Sequence, residues 1–255
     1  MERRYTILNV FTTEPDGGNP LAVMTEVDGL DDASMQALAN KIGLSETVFV
    51  FPATNPAHLA SIRIFTPASE LPFAGHPTVG TAICLTRNRI WQAKRTEFDT
   101  LAVLEAKAGI LRVAVKPGEY GAAFAEFDVP SLPREIGEAA PVDRIAAALG
   151  LAPSEVGFEN FHPRRFSAGN AFTFVPVANL EAIGRAGVIA EHWQEAFGGN
   201  PDTGAYLYCR ETVQHKAGFH ARGFFPDQGI PEDPATGSAA GSRSEERRVG
   251  KECRS

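Results

Sequence analysis

The sequence predicts an α+β protein of two similar halves, each a curved sheet wrapped around a central helix. Three observations carry that reading. The first is an internal duplication, in which four motifs recur in one order at offsets of 151 to 159. Gly18 and Asn19 before an apolar run are echoed by Gly169 and Asn170, and residues 45–50 by 203–208. Arg63, Phe65 and Pro67 match Arg222, Phe224 and Pro226, and residues 74–78 answer 233–238. Shared Gly and Pro turn chemistry would explain one such pair but not the ordered set. The second observation is a series of short apolar or alternating runs bounded by Gly and Pro, the pattern of strands. The third is the run 77–85, apolar on all sides with Pro77 suited to a first turn, which reads as a buried helix.

In chain order, residues 5–11 alternate as a strand and 21–24 form a second. Asp31 is placed to cap a helix whose Met35, Leu38, Ala39 and Ile42 share one face, with Gly43 ending it. Strands are predicted at 46–51 and 59–65, then the buried helix, then strands at 97–106, 110–115 and 121–128. Val129, Pro130, Ser131, Leu132 and Pro133 read as a linker, giving a first domain 1–128 and a second 129–242.

Residues 243–255 stand apart, with eight charges in thirteen positions and Val249 as their one strong apolar residue. They resemble the translation of a sequencing adapter and are set aside as a non-native tail. They begin where an apolar helix is expected, so the chain is expected to be cut short there, and unstable or inactive as written, because a helix carried through Glu245, Glu246, Arg247 and Arg248 would bury several charges.

Composition narrows the function. The 255 residues carry 44% apolar side chains and a net charge of −7, enough for a sizeable core and the wrong sign for nucleic acid. No apolar stretch approaches the roughly 18 residues of a membrane span. The first residues lack a signal-peptide core, and Cys84, Cys209 and Cys253 form neither a metal spacing nor a disulfide set, which together point to the cytoplasm. Six dispersed histidines give no metal motif, and no glycine-rich fingerprint supports a nucleotide, so neither metal nor cofactor is expected.

The chemistry is expected in a cleft between the halves. Each half runs a Pro/Gly-rich loop onto a helix N-terminus, whose unpaired N–H groups suit an anion such as a small carboxylic-acid substrate. Gly75 and Gly237 let the backbone come close to a ligand. Around them stand Glu46, His76 and Asp233 as acid–base candidates, since a carboxylate desolvated in a cleft becomes a usable proton acceptor. Each also has a bland reading: Glu46 as an exposed strand start, His76 as a helix cap, Asp233 as an N-cap or turn residue.

Residues 18–23, 44–50, 65–77 and 232–238 together resemble the PhzF-like phenazine-biosynthesis family. The similarity spans residues 5–242. The resemblance implies a diaminopimelate-epimerase-like fold and a cofactor-independent isomerase, a homodimer when full length. In the phenazine enzyme the substrate is a dihydro-hydroxyanthranilate and a proton moves between ring carbons. By motif position, Glu46 corresponds to the family's acid/base, and Gly75, His76, Asp233 and Ser238 to groups lining its site. Epimerases and proline racemases of the same superfamily use two cysteines. Here Ala74 precedes Gly75 and residues 233–242 hold no cysteine, which disfavours the two-thiol route. An epimerase of a small hydroxy- or amino-acid using Glu46, or a non-catalytic binding protein, are the competing readings.

Overall fold

The computed structural model describes residues 3–12, 17–93, 100–118, 122–128, 132–168, 170–198, 204–213 and 217–242, with the backbone alone for 88–93 and 240–242. The expected linker residues 129–131, Gly121, the 97–99 strand start and the whole 243–255 tail lie outside the described residues. The chain divides into two compact units, Met1–Ser131 and Leu132–Ser255.

The first unit holds strands β1 (Tyr5–Val10), β2 (Asn19–Met24), β3 (Glu46–Phe51), β4 (Ala60–Phe65), β5 (Glu70–Leu71), β6 (Thr100–Ala106), β7 (Gly109–Pro117) and β8 (Ala123–Phe127). They form one sheet in the order β1-β2-β3-β4-β6-β7-β8, with β5 also on β4. Helix α1 (Asp32–Ile42) is the crossover between the parallel strands β2 and β3, and α2 (Gly75–Ala93) runs along the sheet. Helix α2 packs against β1 and β8, the two ends of the order, as well as β2, β3, β6 and β7. Seven flat strands would spread over roughly 29 Å, far wider than one helix of ~10 Å. The sheet therefore curls around α2.

Alternation along the strands explains the two layers. Leu21, Val23, Val48, Val50, Ile62 and Ile64 form one core with Val79 and Ala82 of α2. Met24, Phe49 and Phe65 form another with Met35 and Ala39 of α1. A Cβ at Gly80 would lie 2.6 Å from Leu21 Cδ2 and 2.8 Å from Val10 Cγ2, so α2 approaches β1 and β2 so closely that a side chain there would displace Leu21 and Val10. Asp31 accepts a bond from Ser34 N at 2.8 Å and Gly43 adopts φ +71°, the start and stop read from the sequence.

Strand β2 starts at Asn19 rather than 21 and β7 runs Gly109–Pro117 rather than 110–115, and two further boundaries that differ from expectation lie near the candidate residues. Strand β1 ends at Val10 because Phe11 takes φ +65° and turns the chain out of the sheet. Helix α2 begins two residues before Pro77, which occupies the first turn where its missing N–H costs nothing, and continues to Ala93.

The second unit contains β9 (Arg134–Glu135), α3 (Val142–Leu149), β10 (Arg164–Ser167), β11 (Ala171–Pro176), α4 (Leu180–Arg185), α5 (Ala190–Phe197), β12 (Gly204–Cys209), β13 (His220–Phe225), β14 (Ile230–Asp233) and α6 (Gly237–Ser242). The sheet order is β14-β13-β12-β11-β10-β9. Strands β10 to β14 repeat the pairing scheme of β1 to β5: antiparallel, parallel, antiparallel, antiparallel. Residues of α3, α4 and α5 pack with Val175, Leu207 and Phe224 on one face. On the other face Phe166, Phe172, Phe174, Tyr206, Tyr208 and Phe225 surround Ala239 of α6. Cys84 on α2 and Cys209 in β12 are free thiols, both pushed up from the ordinary range chiefly by burial, which suits packing rather than acid–base work.

Candidate active site

In the first unit, Glu46 opens β3. Since Val48 and Val50 point into the core around α2, the period of two sends Glu46 to the same side. Its residue is 8% exposed, which rules out the reading of a solvent-facing strand start. His76, the second residue of α2, is 3% exposed, and its Nδ1 lies 3.4 Å from Glu46 Oε2. Burial pushes the imidazole down to about 3, against a smaller opposing pull from a bond with the Pro20 backbone. The ring is therefore neutral near physiological pH, and its contact with Glu46 is not an ion pair. His76 lies inside the helix, so it is not a cap. Buried Gly75 is the first residue of the same helix, where unpaired N–H groups gather.

Asp233 closes β14 in the second unit and is 7% exposed. Its Oδ2 accepts a bond from Thr236 Oγ1 at 2.7 Å, so Asp233 does serve the turn onto α6, one of its bland readings. Half-buried Gly237 and Ser238 are the first two residues of α6. The six candidate residues thus fall into two sets: Glu46, Gly75 and His76 in one unit, Asp233, Gly237 and Ser238 in the other. Among the described residues no three His, Cys, Asp or Glu side chains gather as metal ligands.

Sequence reasoning did not select two neighbours of the first set. Asn19 is fully buried and shares the inward face of β2 with Leu21, the residue opposite Glu46. Its placement depends on Gly18, at φ +75°, where a Cβ would lie 2.2 Å from the Val10 carbonyl oxygen. The repeated Gly-Asn pair was a signal for it. Phe11 sets its ring edge-on to His76, with centroids 6.4 Å apart; nothing in the strand pattern marked it.

A buried carboxyl beside an imidazole, near a helix N-terminus, is an arrangement suited to acid–base chemistry, and the duplicated fold that holds it is of the diaminopimelate-epimerase-like class. The family model for phenazine biosynthesis-like proteins (PhzC/PhzF) matches residues 8–244, and the chain belongs to that family. It is similar to an uncharacterized isomerase of Mesorhizobium japonicum, 48% identical over 93% of this chain and 78% of the relative. A trans-2,3-dihydro-3-hydroxyanthranilate isomerase of Pseudomonas aeruginosa is 34% identical over 93% of this chain and 77% of its own. Among solved structures, a PhzF-family phenazine biosynthesis protein of Bacillus anthracis superposes with a TM-score of 0.81 at 29% identity, covering 98% of this chain and 82% of that one. The chain is an isomerase. No helix among the described residues is long and apolar enough to cross a membrane.

Proposed function

We propose that this isomerase moves a proton between carbons of a small unsaturated carboxylic acid of the dihydro-hydroxyanthranilate kind, with Glu46 taking the proton and returning it. The observation that carries the reading is the buried contact between Glu46 and a neutral His76. The family resemblance puts the acid/base at Glu46, and His76, 3.4 Å away, is proposed to assist it. The Glu46 carboxylate removes a proton from carbon, the electron pair spreads through the conjugated system towards the substrate carboxylate, and the same group protonates another carbon. No electrons are gained or lost overall. Such a positioned acid/base contributes roughly 10²–10⁴-fold.

The first turn of α2, 19 residues long, offers N–H groups to the negative charge that develops on the substrate. In the second unit, Asp233 is proposed as an assisting acid/base and Gly237 and Ser238 as substrate-contacting groups. The named activity of the Pseudomonas aeruginosa relative supports this substrate class.

The test is turnover in D₂O with trans-2,3-dihydro-3-hydroxyanthranilate and a panel of cyclic unsaturated acids, read by mass spectrometry and NMR. Isomerised product is the expected result, with the new C–H hydrogen drawn from the substrate or from D₂O according to how fast the protonated Glu46 exchanges. Inertness of an active preparation towards the whole panel would count against the proposal.

A further inference from the structure

The duplication preserves a side-chain device as well as a strand order. Arg63 in β4 grips Glu70 in β5 through two parallel bonds, Nε to Oε1 at 2.8 Å and Nη2 to Oε2 at 2.8 Å. Arg222 in β13 grips Glu232 in β14 in the same way, at 2.7 and 2.8 Å. Each guanidinium also lies over the ring two residues on, Phe65 at 5.2 Å and Phe224 at 4.8 Å. Each reaches an outer helix as well: Arg63 donates to Asp32 in the first turn of α1, and Arg222 to the carbonyls of Ile183 and Ala186 at the end of α4.

The glutamates stand where the candidate residues are delivered. Glu70 lies six positions before His76, and Glu232 immediately before Asp233. Adjacent strand residues face opposite ways, so a carboxylate pinned on the outer side holds Asp233 towards the buried side. The strands themselves are weak supports. β5 is two residues long, and β14 is a four-residue edge strand whose pairing shifts register between Gly223 and Phe225. Lys107 Nζ adds only a looser contact, 3.6 Å from Glu70 Oε2.

We infer that the Arg63–Glu70 and Arg222–Glu232 forks are positioning pairs, which set His76 and Asp233 respectively for catalysis; the inference rests on the roles proposed above for those two residues. A third fork supplies an internal control. Arg164 in β10 grips Glu135 in β9 at 2.9 and 2.6 Å and covers Phe166 at 4.9 Å, but Glu135 leads to no candidate residue. A purely structural role predicts that all three forks matter alike.

The experiment compares Arg63→Lys, Arg222→Lys and Arg164→Lys, since lysine keeps the charge and loses the two-pronged grip. Melting temperature, kcat and KM are measured with trans-2,3-dihydro-3-hydroxyanthranilate, together with amide hydrogen exchange. The first two variants should lose about tenfold or more in kcat with KM within about threefold, and Arg164→Lys should stay within about twofold. Unchanged kcat in Arg63→Lys and Arg222→Lys, or an equal loss in Arg164→Lys, overturns the inference. If the unsubstituted chain leaves the probe untouched, whether through its 243–255 tail or because the substrate reading has failed, amide exchange decides the positioning claim. Faster exchange confined to residues 230–236 in Arg222→Lys and 69–78 in Arg63→Lys supports it, and unchanged protection there overturns it.

Discussion

The two units are the same strand arrangement carrying different chemistry. Leu21 pairs with Glu46 where Phe172 pairs with Gly204, and Ile64 pairs with Leu71 where Gly223 pairs with Asp233. At equivalent places the first unit therefore has Glu46 and Leu71, and the second has Gly204 and Asp233. Packing explains one of these exchanges. A Cβ at Gly204 would lie 1.9 Å from Phe225 Cδ1, so the second unit has no room for a counterpart of Glu46. What the halves share is what the fold needs: the parallel pair, the crossover, the arginine forks. What differs is the ionisable group, Glu46 in the first unit and Asp233 in the second.

The comparison can be broken at several points. His76 carries the largest expected effect. Its pKa is about 3 in the folded chain against an ordinary 6.5, so between those values the unfolded chain binds the extra proton. Stability must then fall as pH drops from about 6.5 to about 3, by a few kcal/mol. Urea unfolding against pH should show His76→Gln with a flatter profile in that window, and an unchanged profile would mean the ring is solvated.

Gly204→Ala should cost about 1–3 kcal/mol through its collision with Phe225, measured by denaturant midpoint. A neutral outcome would show that Phe225 can move aside, and that crowding does not explain the missing carboxylate.

The smallest effects sharpen the likeness of the halves. Asp31 caps α1 by accepting from Ser34 N at 2.8 Å, and Asn179 caps α4 by accepting from Ala182 N at 2.8 Å. Alanine at either position should cost ~1 kcal/mol. A large disparity between the two would show that the outer helices are not supported alike.

How far the sequence revealed this depended on how local the physics was. The cap at Asp31 and the stop at Gly43 follow from neighbours in the chain, and both were legible. The repeat exposed the two similar halves because Arg63 and Arg222 recur with their phenylalanines and prolines. Glu46 and His76 could be nominated from their motifs, but their 3.4 Å contact depends on how β3 and α2 meet, and the neutrality of His76 depends on burial that no local pattern encodes. Asn19 was visible as a repeated residue yet not as a buried one. The turn at Phe11 escaped because alternation continues through it while the backbone does not.

Glu46→Gln is the sharpest single test, with turnover and substrate binding measured on one preparation. Gln keeps the shape of the side chain and removes its capacity to carry a proton, so turnover should fall by roughly 10²–10⁴-fold while affinity changes little. Near-normal turnover in that variant would contradict the claim that this one carboxyl group carries the proton.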